Sequence, residues 1–204
     1  ILEDGSRTIT QADLLAGASD ADGDALVASG LTLVSGTGSL VDNGNATWTF
    51  TPGADWNGSA RFSFTVSDGA TTVGNTAALT VRPVNDAPVI LINRLAITEG
   101  QTVTLSTADL DGEDIDNADT SLGYSVLSVT GGYFALADAP STPVVQFSQT
   151  ALATGSVRFV HDGSNTAPSF TLSLHDDELA SAPSTAVLVF TPVNDAPSIS
   201  APGI

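Results

Sequence analysis

Acidic side chains at turn positions are the residues of this chain with the clearest capacity for chemistry. Of its 23 acidic residues, 19 are Asp and four are Glu, although an exposed helical surface would favour Glu. Calcium binds about six to eight oxygens from carboxylates, amides and carbonyls. Short clusters of Asp therefore predict that Ca²⁺ is the ligand. Two such clusters are SDADGDAL, with Asp20, Asp22 and Asp24, and EDIDNADTSL, with Asp114, Asp116 and Asp119.

The overall charge narrows the possible partners. The chain has five arginines, no lysine and a formal charge of −18, which argues against binding to nucleic acid and against insertion into a membrane. It contains no cysteine, so a disulfide scaffold, a zinc–thiolate site and thiol catalysis are excluded. The opening residues ILEDGSRT are not a signal peptide. We expect the chain to be part of a longer protein.

A repeated hexapeptide divides the chain into two copies. PVNDAP occurs at residues 83–88 and again at 192–197. Within each copy an Asp follows a Glu by ten residues: Asp13 follows Glu3, and Asp109 follows Glu99. The spacing predicts a first repeat at 1–83, a linker at 84–88, a second repeat at 89–192 and the start of a further linker or repeat at 193–204.

The segments between the acids have the pattern of strands. ATWTFT, ARFSFTVS, SFTLSLH and TAVLVFT alternate apolar and polar residues, and Gly, Asn, Asp and Pro separate them at short intervals. Only TQADLLAG and SQTALATG could form a helical turn or two. The pattern predicts an all-β protein with two tandem Ig-like antiparallel β-sandwiches of about seven strands each.

Several motifs resemble those of the cadherin-like repeats. VNDAP is similar to the linker between cadherin domains and between the repeats of large bacterial surface proteins. The first copy, from EDGSRTITQADL to VNDAP, resembles those bacterial repeats over nearly its whole length. The second copy resembles the chondroitin-sulfate-proteoglycan-type repeat through its FVHDG run. The resemblance implies a secreted or cell-surface adhesin, with a role in cell adhesion and biofilm.

The resemblance also implies a set of calcium ligands. In the family, calcium lies between successive domains. The resemblance therefore implies one full set of ligands at the junction between the two repeats and a half-site at the outer end of each repeat. The junction ligands would be Glu3, Asp55, Asn85, Asp86, Asp114, Asp116 and Asp176. The half-sites would be Asp20, Asp22 and Asp68 in the first repeat, and Glu99, Asp162, Asn194 and Asp195 in the second.

The sequence departs from the cadherin pattern in ways that weaken the predicted site. The acid that usually precedes the linker Val is replaced by Pro83 and Pro192, and Asp55 only approximately matches the family's ligand. Fewer ligands predict one or two ions at the junction. The affinity should be modest, at a dissociation constant of about 10⁻⁴ to 10⁻³ M.

Other functions stay open as alternatives. Trp56, if exposed, could help to bind a polysaccharide or a partner cell, whereas alternation groups Trp48 with the core. His161 and His175 each precede an Asp, but their positions at strand ends favour a structural role over catalysis. We predict no enzymatic activity. The partners should be calcium and neighbouring repeats; the alternatives are a module that binds a polysaccharide or a cell-surface partner, and a calcium-independent spacer.

Overall fold

The structure, a computed structural model, describes residues 1–197 of the chain. Two compact units are present, the first at Ile1–Val84 and the second beginning at Asn85. The division falls within the predicted linker at 84–88, so that Asn85 and the residues after it belong to the second unit. Of the further linker or repeat predicted at 193–204, residues 198–204 lie outside the described part.

The first unit is built from strands whose apolar residues alternate with polar ones. The elements are β1 (Arg7–Thr10), α1 (Gln11–Leu14), β2 (Val27–Ser35), β3 (Gly38–Asp42), β4 (Thr47–Pro52), β5 (Gly58–Ser67) and β6 (Thr72–Val81). Its two sheets have the strand orders β1-β4-β3 and β2-β5-β6. The Phe50 and Phe62 rings pack edge to face in the core with their centroids 5.2 Å apart, and Trp48 is buried in the same cluster as predicted.

The second unit has more and shorter strands. The elements are β7 (Val89–Thr98), β8 (Thr102–Thr104), β9 (Leu110–Glu113), a 3₁₀ turn (Asp119–Ser121), β10 (Gly123–Thr130), β11 (Gly132–Leu136), β12 (Ala139–Val144), β13 (Gln146–Ser148), α2 (Gln149–Ala153), β14 (Val157–His161), β15 (Ser169–His175), β16 (Ser184–Thr185) and β17 (Val187–Thr191). Its sheets have the strand orders β13-β10-β15-β16, β12-β11-β14-β8 and β17-β7-β9.

The architecture confirms the predicted all-β fold, with two differences. Between residues 1 and 197 the units contain six and eleven strands instead of about seven each. The second unit also has one parallel pair, because β7 changes partner halfway along: its first half pairs antiparallel with β9, and Arg94–Thr98 pair parallel with Val187–Thr191. Alternation predicts which face of a strand is buried, but it does not predict the neighbouring strand.

Aromatic packing closes the core of the second unit. The Phe134 ring lies 5.3 Å from the rings of Phe147 and Phe159 and 4.9 Å from that of Phe170. Burial of this cluster fixes the strands, and therefore the turns at their ends, in place. Across residues 1–197, no helix is long and apolar enough to cross a membrane.

Candidate functional site

The candidate site is a group of Asp and Asn side chains at one end of the second unit. Strand β9 ends at Glu113, directly before Asp114, and strand β15 ends at His175, directly before Asp176. The first residues of the unit, Asn85 and Asp86, reach the same end. We call this group the linker-end cluster; its members are Asn85, Asp86, Asp114, Asp116, Asn117 and Asp176.

Asp176 is the buried centre of the cluster, with 7% of its surface exposed. Its Oδ1 accepts the backbone N–H groups of Glu178 and Leu179, each at 2.7 Å, and thereby builds the turn after β15. Its Oδ2 accepts the side-chain amide of Asn85 at 2.7 Å. The Leu179 N–H and then the Asn85 amide hold the pKa of Asp176 below its usual value, because they stabilise the carboxylate form.

Asp114 builds the second turn of the cluster. Its Oδ1 accepts the backbone N–H groups of Asp116 and Asn117, both at 2.8 Å, and the Asn117 side-chain amide at 3.3 Å. Its Oδ2 is buried and accepts no hydrogen bond. Burying an anionic oxygen without a donor is costly, so this atom is the one in the cluster best suited to a cation.

The linker enters the cluster through direct hydrogen bonds. Asn85 Oδ1 accepts from the Asn117 amide at 3.2 Å, while Asn85 Nδ2 donates to the Asp86 carbonyl at 3.0 Å as well as to Asp176. The Asp86 N–H donates to Asp116 Oδ2 at 2.9 Å. Asn117 was missed by the sequence analysis, although it directly follows the Asp-x-Asp pair and carries the amide that fixes Asn85.

The ligand types of the cluster suit calcium, but its carboxylates are too far apart to bind an ion as they stand. All of its donors are carboxylate, amide or carbonyl oxygens, which Ca²⁺ prefers. However, within residues 1–197 no three Asp, Glu, His or Cys side chains lie close enough together to hold a metal ion. Binding would require Asp116 and Asp176 to exchange their hydrogen bonds to the linker for bonds to the ion.

The predicted ligands Glu3 and Asp55 lie in the first unit. Glu3 is buried, and its Oε1 accepts the Val84 N–H at 2.6 Å while its Oε2 accepts the Asn57 amide at 3.4 Å. Glu3 therefore anchors the end of the first unit to the linker. Asp55 is exposed in the turn between β4 and β5, with a positive φ of 52°.

The first unit carries a similar pair of turns at Asp20 and Asp68. Asp20 Oδ1 accepts the N–H groups of Asp22 at 2.8 Å and Asp24 at 3.2 Å. Asp68 Oδ1 accepts those of Ala70 and Thr71 at 2.7 and 2.6 Å, and its Oδ2 accepts the Thr71 hydroxyl at 2.7 Å. The Thr71 backbone and hydroxyl lower the pKa of Asp68 to about 2. Of the three predicted half-site residues, Asp20 and Asp68 line one open groove, whereas Asp22 is not among its lining residues.

The second predicted half-site contains a buried Glu of the same kind as Glu3. Glu99 is 7% exposed, and its Oε2 accepts the Val193 N–H at 2.8 Å. The Asp162 carboxylate accepts the Ser164 N–H at 2.9 Å, which lowers its pKa. The Asn194 side chain donates to the carbonyl of the adjacent Asp195 at 3.2 Å. Of these contacts, the Glu99–Val193 bond anchors the second linker as the Glu3–Val84 bond anchors the first.

The structure accounts for the other acids and rings that the sequence singled out. Asp13 accepts the Thr10 N–H at 2.8 Å in a helix capping box, so its recurrence reflects a turn and not a ligand. Trp56, which could help to bind a sugar only if exposed, is half-buried and packs against the core. His161 is buried, accepts the N–H groups of Gly100 and Gly163, and stacks on Phe190.

Comparisons with known proteins agree with this architecture. A family model described as "Cadherin-like domain" matches residues 1–82, and one described as "Cadherin-like" matches residues 88–190. Mouse chondroitin sulfate proteoglycan 4 is 38% identical over 87 residues, which are 42% of this chain and 4% of the proteoglycan. The human proteoglycan is 37% identical over 87 residues with the same coverage. The chain thus spans a small fraction of these relatives.

Among solved structures, human protocadherin-24 EC1-2 has a similar fold. It is 18% identical, with a TM-score of 0.52 and coverage of 87% of this chain and 85% of that one. At this identity the likeness concerns the fold alone.

Proposed function

Because this chain belongs to the cadherin-like family, whose domains are typically extracellular adhesion repeats, we propose that it is a calcium-binding extender segment of a large surface or secreted adhesin. The linker-end cluster of the second unit would bind the ion. A bacterial origin and a role in biofilm follow only from the resemblance of the first repeat and stay predictions.

The observation that carries the proposal is the buried Asp114 Oδ2, which accepts no hydrogen bond. A cation beside it would satisfy that oxygen and offset the repulsion between Asp114, Asp116 and Asp176. Asp86 and the Asn85 side-chain oxygen complete a set of hard donors on the linker itself. That Glu3 and Asp55 bind calcium stays a prediction.

Calcium should stiffen the linker by replacing its hydrogen bonds with stronger ion contacts. If free calcium were about a hundred times the dissociation constant, binding would add about 2.7 kcal/mol to the stability of the bound form. That is a large share of the stability of an ordinary domain. Both tyrosines, Tyr124 and Tyr133, lie in the second unit and both tryptophans lie in the first, so each unit has its own optical signal.

The test is thermal unfolding followed by tyrosine near-UV circular dichroism, in millimolar calcium and in chelator. We expect calcium to raise the melting temperature of the second unit. The double variant Asp86→Ala and Asp116→Ala should lose this response, whereas Asp4→Ala with Asp138→Ala removes the same charge from exposed positions outside the cluster and should keep it. An identical melting curve in calcium and in chelator would contradict the proposal and favour a calcium-independent spacer.

A further inference from the structure

Two buried side chains of the second unit each carry an oxygen that has no hydrogen-bonding partner. Gln149 is 3% exposed and Tyr124 is fully buried. Within residues 1–197, neither Gln149 Oε1 nor the Tyr124 hydroxyl makes a hydrogen bond. Burying a polar atom without a partner is costly, and a bound water or ion is the usual reason that a fold tolerates it. These two oxygens therefore point to a ligand.

The direction of the Gln149 side chain is set by its own hydrogen bonds. Its Nε2 donates to Asp111 Oδ1 at 2.9 Å and to the Gly112 carbonyl at 3.1 Å. An amide turned the other way would hold its oxygen against these two acceptors, so the observed orientation is the favourable one. Because Oε1 and Nε2 are bonded to the same carbon, Oε1 lies beside the Asp111 carboxylate.

Tyr124 and Asp119 lie at the same place as Gln149. The Gln149 N–H donates to the Leu122 carbonyl at 2.9 Å, and the Leu122 N–H donates to the Asp119 carbonyl at 3.3 Å. The 3₁₀ turn that begins at Asp119 packs against α2. Burial and then the negative charges of Asp111 and Asp119 raise the pKa of Tyr124, so its hydroxyl stays protonated and neutral near both carboxylates.

The charge at this place favours a cation over a water molecule. Asp111 is half-buried, and within residues 1–197 its carboxylate accepts a hydrogen bond from Gln149 alone and pairs with no arginine. A water molecule could satisfy the two unpaired oxygens, but it would not balance this charge. One half-buried carboxylate with two neutral oxygens balances one positive charge, since Asp119 is exposed to solvent.

We propose that Asp111, Tyr124 and Gln149 bind a monovalent alkali cation such as sodium. Gln149 Oε1, the second carboxylate oxygen of Asp111 and the Tyr124 hydroxyl oxygen supply the ligands, and water completes the shell. The exposed Asp119 attracts the ion from solvent. The ion joins β9, which ends directly before Asp114, to β10 and the start of α2. The site shares no residue with the linker-end cluster, so it is independent of the proposed calcium function.

The test uses the full chain with Tyr133→Phe, which leaves Tyr124 as its one tyrosine. Sodium, potassium and choline chlorides are added at equal concentrations in the presence of chelator. Choline is too large to enter the site, but it screens the charge of the chain equally. We expect sodium or potassium, and not choline, to cause a saturable change in the tyrosine near-UV circular dichroism. The Gln149 side-chain amide signals should shift over the same range in ¹⁵N NMR.

Three variants separate binding of the ion from folding. Tyr124→Phe keeps the ring that stacks on Phe147 with centroids 5.3 Å apart, and it should weaken the affinity for sodium severalfold, read from the Gln149 side-chain amide. Asp111→Asn keeps an oxygen for Gln149 Nε2 but removes the charge, and it should abolish the saturable response. Asp138→Asn removes an exposed charge elsewhere in the second unit and should leave the affinity unchanged.

The outcomes distinguish this inference from the proposed calcium function. Equal responses to sodium and choline would show screening alone and would overturn the inference. So would the absence of any response to the three salts, or a long-lived water detected at the Tyr124 hydroxyl in sodium. A melting temperature that depends on calcium but not on sodium or potassium would leave the proposed function standing and remove this inference. A saturable response to sodium without a calcium effect would do the reverse.

Discussion

The Asp20–Asp68 end of the first unit and the linker-end cluster of the second differ mainly in what their carboxylates hold. In both, the first oxygen of each key Asp accepts backbone N–H groups and builds a turn, which directly follows a strand at Asp68, Asp114 and Asp176. The second oxygen of Asp176 binds the linker amide, whereas that of Asp68 accepts a neighbouring hydroxyl. Turn formation through Oδ1 therefore accounts for the recurring Asp spacing. The Oδ2 atom is the part of each carboxylate that can bind a further group.

The largest expected difference between the two ends is in stability. Asp176→Ala removes a buried carboxylate, leaves two turn N–H groups without their acceptor and releases Asn85, so we expect a loss of about 2 kcal/mol in the second unit. Urea unfolding followed by tyrosine circular dichroism measures it. Asp68→Ala should lower the stability of the first unit by clearly less, as measured by urea unfolding monitored by tryptophan fluorescence. Equal losses would show that the linker adds nothing to Asp176.

The two buried glutamates test whether the linkers are anchored alike. Glu3→Gln and Glu99→Gln each keep an oxygen near the linker N–H of Val84 or Val193 but remove the charge that strengthens the bond. We expect each to lower the stability of its own unit by about 1 kcal/mol, read from tryptophan fluorescence for Glu3 and tyrosine circular dichroism for Glu99. A loss at only one of them would mean that the repeats hold their linkers differently.

Much of the fold was predictable from the sequence because it depends on local patterns. Alternation placed Trp48 in the core, and the Thr10–Asp13 capping box forms at TQADL, where a helical turn was expected. The resemblance to cadherin-like repeats implied that Asp114 and Asp176 belong to one end of the second repeat, and each of them directly follows a strand.

The remaining features depend on contacts between residues far apart in the chain. The sequence gives no sign that Glu3 accepts a linker N–H, because the bond joins residues 81 positions apart. Asn117 was missed for the same reason, since its role is its bond to Asn85. The change of partner along β7 was missed because period-two alternation is the same for parallel and antiparallel neighbours.

The linker residues Asn85 and Asn194 allow a more specific comparison. Asn85→Ala removes the amide bonded to Asp176 and the oxygen bonded to Asn117, and we expect it to destabilise the second unit by about 1 kcal/mol. Asn194→Ala removes a bond to the adjacent Asp195 carbonyl at an exposed position and should change stability by much less. If both variants lost the same stability in urea unfolding, the cluster would not be what holds Asn85.

The smallest expected effect is on the pH dependence of stability. Each Asp that builds a turn should make its unit less stable as the pH becomes acidic. The pKa of Asp68 is lowered from 3.8 to about 2, and that of Asp176 is also lowered, so the unfolded chain binds these protons more readily than the folded one. Their contribution is therefore complete above about pH 4 and is lost as the pH falls toward 2.

Protonation of the other acids also relieves the repulsion of a chain with charge −18, so the total slope of stability against pH does not isolate the turns. The difference in stability between the parent chain and Asp68→Asn isolates the contribution of the Asp68 turn. It is measured by urea unfolding of the first unit, monitored by tryptophan fluorescence, at several pH values between about 4 and 2. We expect the variant to be less stable than the parent at pH 4 and to approach it as the pH falls. Asp176→Asn should show the same convergence in the tyrosine signal of the second unit. If the difference in stability between the parent and Asp68→Asn stayed constant with pH, the Thr71 turn would not be stabilising the carboxylate charge of Asp68. The two ends would then differ in their turns as well as in the groups that their Oδ2 atoms bind.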